Sequence, residues 1–119
     1  MSENKGAIIK QSFEFAIIII NLYKSLINDK KEFVMSKQLL RSGTAVGALA
    51  REAQNAESKA DFIHKLAIAQ KECDESIYWL ELLIETGFIG TNEFEEINTK
   101  ANALLKMIRS AIITTKANL

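Results

Sequence analysis

An all-α, antiparallel, up-down-up-down four-helix bundle is what this sequence of 119 residues predicts, on three observations. Proline is absent and glycine occurs five times, so little interrupts helix. Four segments repeat apolar residues at the three-and-four spacing that returns to one side of an α-helix. Only short turns separate them, as in a bundle of antiparallel neighbours. The chain length favours one domain, residues 1–119, able to bury roughly two thirds of its unfolded surface. No repeat, low-complexity tract or second domain is visible.

Helix one is expected over about residues 6–28, after a polar, frayed 1–5. Ile9, Phe13, Ala16, Ile20, Tyr23 and Ile27 form one row, and Ile8, Phe15, Ile19, Leu22 and Leu26 an adjoining one. Together they cover well over half the circumference, leaving Lys10, Glu14, Asn21 and Ser25 for water. That arc exceeds the roughly 100° a surface helix buries. The helix is therefore either central in the bundle or also part of a subunit interface. The β-branched run Ile17 to Ile20 favours strand locally, but the periodicity around it decides for helix.

A polar turn, Asn28 to Glu32, leads to helix two, about residues 33–55. Its stripe is Met35, Leu39, Ser42, Val46, Leu49 and Ala53, beside the small residues Gly43, Ala45, Gly47, Ala48 and Ala50. Each glycine costs a helix about 1 kcal/mol against alanine. Close approach of another helix backbone is the expected compensation. Arg41 and Arg51 flank the G-x-x-x-G pair, which therefore reads as tight soluble packing, not a membrane dimer motif.

Helix three, about residues 58–86, is apolar on two sides. Phe62, Leu66, Ala69, Cys73, Ile77, Leu80 and Ile84 make one stripe; Ile68, Trp79 and Leu82, with Glu72 and Glu75 among them, make the other. One core needs only the first, so a second copy of the chain is expected over the second. Ser58 with Asp61 resembles a capping box, Asp61 and Lys65 are an i,i+4 pair, and Gly87 is the expected left-handed C-cap. After an apolar loop, Phe88 to Gly90, Asn92 with Glu95 is a second capping box. It opens helix four, about residues 92–117. This helix carries Phe94, Ile97, Ala101, Leu104, Ile108, Ala111 and Thr115, broadened by Leu105 and Ile112.

Fifteen Lys and Arg balance fifteen Asp and Glu, so no bulk charge draws the chain to nucleic acid or an anionic membrane. The single cysteine, Cys73, excludes an internal disulfide and reads as a small core residue in a reducing compartment. The N-terminus lacks the order of a secretion signal. The most apolar run, Phe15 to Ile20, falls far short of the roughly 20 residues that span a bilayer. A soluble cytoplasmic protein, with no membrane partner and no small-molecule substrate, is expected.

Little chemistry is written in the residues. A di-iron carboxylate bundle needs two Glu-x-x-His units, whereas this chain has one histidine, in Asp61-x-x-His64. No metal or other cofactor is expected. Glu72 and Glu75 could form a catalytic carboxylate pair, but no nucleophile, base or phosphate loop accompanies them. Pairing with Arg or Lys of a neighbouring helix or subunit is the better reading. Lys37, Arg41 and Arg51 are the candidate phosphate contacts; the alternatives are a solvated face or Arg41 buried against Glu75. Tyr78 and Trp79 read as interface anchors rather than base-stacking residues. The candidate oligomer interface is thus Ile68, Glu72, Glu75, Trp79 and Leu82, and no residue is expected to be catalytic.

Gln38-Leu39-Leu40-Arg41-Ser42-Gly43-Thr44, then Glu52-Ala53, Ser58 to Ile63, Lys71-Glu72 and Tyr78-Trp79-Leu80 resemble the bacterial four-helix bundle proteins encoded in intervening sequences of 23S rRNA genes. These are also called a 23S ribosomal protein family. The resemblance covers nearly the whole chain. It implies a homopentameric ring without enzyme activity and without an established role. The chain is also distantly similar to the accessory variability protein of diversity-generating retroelements. That similarity implies a second possibility, a pentameric accessory protein binding RNA or a reverse-transcriptase partner. Two departures stand out. This chain is neutral where that relative is basic, and it has Ala45 and Leu49 where the family usually has Ser and Asn. Arg41, Glu52 and Glu75 match the family and carry over as structural or interface polar residues.

Overall fold

The four apolar repeats become four helices in a computed structural model that describes residues 2–119, with side chains from Gly6 onward. They are α1 (Ser2–Asn28), α2 (Met35–Gln54), α3 (Lys59–Glu85) and α4 (Thr91–Ala117). No strand occurs among the described residues. A helix of 27 residues is about 40 Å long at 1.5 Å per residue, which accounts for the 47 × 21 × 18 Å rod. The order is α1 on α2, α2 on α3, α3 on α4, with α4 closing on α1. Pairings along the seams run in opposite senses: Ser12 lies by Gly47 and Ile19 by Gly43, while Glu52 reaches Lys65 and Arg41 reaches Glu72. Neighbouring helices are therefore antiparallel.

The core is continuous from Ile8 to Ile112. On α4 every expected position from Ile97 to Thr115 is buried, and only Phe94 is partly exposed. On α1 the inward row is Ile8, Ser12, Phe15, Ile19, Leu22 and Leu26; the row containing Ile9, Phe13 and Ile20 turns outward. On α3 Ser76 and Leu83 are buried where Ile77 and Ile84 were expected. The buried row keeps a strict alternation of four and three from Phe62 to Leu83, which the expected stripe left at Ile77 and Ile84 by following apolar residues past Ser76.

Helix ends differ in several places from expectation. Helix α1 begins at Ser2, within the stretch expected to fray; Met1 lies outside the described residues. Helix α2 begins two residues later than expected, and Phe33 and Val34 stand exposed before it. Its cap is Glu32, whose carboxylate accepts from the N–H groups of Val34, Met35 and Ser36 at 2.9, 2.8 and 2.8 Å. The Ser36 hydroxyl returns a bond to the Glu32 carbonyl at 2.7 Å. Burial pushes the Glu32 carboxyl up, but these donors outweigh it and hold the group below its ordinary value. The cap also holds the preceding turn, in which Lys31 takes φ 54, a region that side chains other than glycine seldom adopt.

At α3 the Ser58 hydroxyl accepts from the Asp61 N–H at 3.0 Å, but the Asp61 carboxylate takes the N–H of Glu57 and not that of Ser58. Lys65 does not join Asp61; it bonds Glu52 on α2 at 3.0 Å. The end of α3 is a Schellman motif: Phe88 N–H to Leu83 O at 2.9 Å and Gly87 N–H to Ile84 O at 3.1 Å, with Gly87 at φ 82. Ile89 then tucks beneath the bundle end. Asn92 is not a cap, because α4 starts at Thr91 with Gly90 before it and no side-chain cap bond.

By length and composition Gly6–Asn28 is apolar enough to cross a membrane, which the short run Phe15 to Ile20 had not indicated. In the bundle its row Ile8, Phe15, Ile19, Leu22 and Leu26 is buried in the core.

Candidate functional site

The polar residues singled out on α2 and α3 meet on one face. Arg41 sits on α2, one residue before buried Ser42; Glu72 and Glu75 flank the buried Cys73 and Ser76 on α3. One guanidinium nitrogen of Arg41 donates to both oxygens of Glu72, at 3.1 and 3.2 Å, and the other donates to Glu75. Glu75 also accepts from the Trp79 indole N–H at 3.0 Å. Beneath them the Ser76 hydroxyl lies 2.9 Å from Ser42 Oγ and 2.9 Å from the Glu72 carbonyl oxygen. The bonds to Glu72 and Glu75 raise the Arg41 pKa. The Trp79 N–H holds the Glu75 carboxyl below its usual range against the opposing effect of burial, with Arg41 helping. One cation on α2 is shared by two carboxylates on α3, which is the arrangement of a helix-to-helix clamp with one negative charge left over.

Nothing on this face supplies a nucleophile. The Cys73 thiol is fully buried, contacts the Ala101 carbonyl at 3.4 Å, and is pushed up to about 12 by burial, with Asp74 adding to the shift. His64 is exposed on α3. Among the described residues no three of His, Cys, Asp and Glu come together as metal ligands would.

The three cations proposed for phosphate contact share the outer side of α2 but differ in state. Lys37 is exposed. Arg41 is held by two carboxylates. Arg51 lies with its guanidinium carbon 5.6 Å from the centre of the Phe13 ring, in cation–π range.

The structure adds an apolar face that the sequence had marked only as an over-wide arc on α1. Phe13 is 54% exposed and Ile17 45%. Beside them a groove of about 300 Å³ runs between α1 and α2, lined by Ile9, Phe13, Ala16, Gly47, Ala48 and Arg51 among others. On α3, Ile68, Trp79 and Leu82 are each half-buried, while Tyr78 is 53% exposed and packs edge-on against Trp79 at 5.1 Å.

Set beside known proteins, the sequence matches the 23S rRNA-intervening sequence protein family over residues 4–110. The chain belongs to that family. A crystal structure of a protein of unknown function from the S23 ribosomal protein family of Bacteroides thetaiotaomicron VPI-5482 is similar to it, with 52% sequence identity and a TM-score of 0.90. That similarity covers 92% of this chain and 97% of the other. No curated protein matches. The family is one of unknown function, and neither comparison indicates a catalytic role for its members.

Proposed function

We propose that this intervening-sequence protein is a non-catalytic homo-oligomer whose copies cover one another's apolar faces. The observation that carries this is the outward row of α1, where Phe13 and Ile17 present large apolar side chains to water next to an open groove. A helix that has already filled its share of the core does not need that second row. The family resemblance adds the number of copies, a pentameric ring. Light scattering or native mass spectrometry should give the mass of five chains, and a monomer at micromolar concentration would reject the reading.

A second reading, a ring that binds RNA or a nucleic-acid-processing partner as an accessory protein, draws on Lys37 and Arg51, which make no ion pair among the described residues. It draws less on Arg41, which is held by two carboxylates that leave the cluster with one net negative charge. Filter binding to structured RNA should weaken steeply as salt rises if phosphates are contacted. Undetectable binding at low salt would dismiss it.

A further inference from the structure

The two exposed apolar patches carry opposite rims. On α1, Lys10, Ile17 and Lys24 are spaced seven apart, so they return to one side of the helix, with Phe13 beside them. The Arg51 guanidinium of α2 lies over the Phe13 ring and adds a positive charge to the same rim. On α3 the run from Glu72 to Glu85 holds five carboxylates, namely Glu72, Asp74, Glu75, Glu81 and Glu85, and no lysine or arginine. Arg41 occupies Glu72 and Glu75. Asp74, Glu81 and Glu85 are exposed, make no ion pair among the described residues, and share one helical row with Tyr78. The neutral total charge thus conceals a separation: lysines frame aliphatic and aromatic surface on α1, and carboxylates frame an aromatic on α3. The minority charges bordering each patch, Glu14 on α1 and Lys71 on α3, are likewise opposite.

We infer that the oligomer, as read under the proposed function, is joined head to tail, with the Phe13–Ile17 face of one copy seated on the Tyr78 face of the next. Two α1 faces brought together would set Lys10 and Lys24 against their own kind, and two α3 faces would do the same with carboxylates. Only the unlike pairing matches charge while covering both patches. Such a joint is heterologous, so it closes a ring when the rotation per copy permits and needs no two-fold axis.

Two variants test it, each altering an exposed residue: Ile17→Glu and Tyr78→Lys. Circular dichroism verifies that each folds; the double variants Lys10→Glu with Lys24→Glu, and Asp74→Lys with Glu81→Lys, replace them should either unfold. Each variant alone should run as a monomer in light scattering. Mixed, they should give a species of two chains, because one copy keeps its α3 face and the other its α1 face. A mixture that stays monomeric overturns the head-to-tail joint, as does loss of assembly in one variant while the other assembles normally. Variants that both keep the wild-type mass overturn it while leaving the oligomer standing. A monomeric wild type removes the proposed function together with the joint.

Discussion

The α1–α2 seam and the α2–α3 seam hold the two sides of one helix by opposite means. Toward α1, α2 presents glycine. A Cβ on Gly43 would lie 2.8 Å from two carbons of Ile19, and one on Gly47 would lie 3.3 Å from the Ser12 carbonyl oxygen. Toward α3 it presents polar groups: the Ser42–Ser76 pair, the Arg41 clamp on Glu72 and Glu75, and Glu52 bound to Lys65. The first seam works by shape, with helix backbones drawn together so that Ile19 fills the space a side chain would take. The second works by direction, since hydrogen bonds are satisfied in only one register. Shape should therefore carry more of the stability and the polar groups more of the alignment.

The sharpest way to break that contrast is to fill the glycine seam. Gly43→Val should destabilise the bundle by about 3 kcal/mol, because the added carbons meet a β-branched side chain in a packed core. Gly47→Ala should cost much less. Its contact is tight by only a few tenths of an ångström, and alanine returns about 1 kcal/mol of helix propensity. Urea denaturation of both variants measures the difference; equal losses would show that the seam does not depend on close approach at Gly43.

Next in size is the cap that starts α2. Glu32→Gln should cost about 1–2 kcal/mol at neutral pH, since bonds to a charged acceptor exceed those to a neutral one. The Glu32 pKa is lowered in the folded state, so its contribution is full above the ordinary value of 4.5 and is lost as pH falls through the lower folded value. Wild type and variant should therefore differ in melting temperature at pH 7 and converge in acid. A gap that stays constant with pH would mean that the charge of Glu32 does not matter.

How far these features were legible in the sequence depends on whether one face or two were apolar. On α4 only one face is, and Ile97, Ala101, Leu104, Ile108 and Ala111 all went where the spacing put them. On α1 both rows are apolar, and periodicity says which residues share a side without saying which side turns inward. That choice is made by α2, whose Gly43 and Gly47 admit Ile19 and Ser12. Polarity misled at Ser76, which is buried because Ser42 faces it and the Glu72 carbonyl lies one turn back. Glu32 read as a solvated turn residue, since its role requires the chain to fold back over Val34 to Ser36. On the α2–α3 face the pairing of Arg41 with Glu75 was open to inference from residue types. The separation of charge between α1 and α3 was not, because net charge cancels along the chain and only a fold assigns each residue to a face.

The Ser42–Ser76 pair gives the third test. Ser76→Ala should cost about 1 kcal/mol, the usual net worth of one hydrogen bond, by leaving the buried Ser42 hydroxyl with only its long bond to the Leu39 carbonyl oxygen. Adding Ser42→Ala should recover part of that loss, because two apolar groups facing each other leave nothing unpaired. Failure of the double variant to improve on the single one would assign the loss to packing instead.

The smallest effect is expected at the clamp, which looks strongest on inspection. Arg41 is half-exposed, and an ion pair in contact with water gives back in desolvation and side-chain ordering most of what attraction supplies, so Arg41→Ala should change stability by no more than about 0.5 kcal/mol. It should change something else. Glu72 and Glu75 would then stand without their cation beside Asp74, Glu81 and Glu85, making the α3 face more acidic. If charge helps to join copies at that face, Arg41→Ala leaves the melting curve in place but makes assembly more sensitive to salt. A large loss of stability with unchanged assembly would reverse the contrast, placing the polar seam among the groups that hold the fold and removing charge from those that align its surfaces.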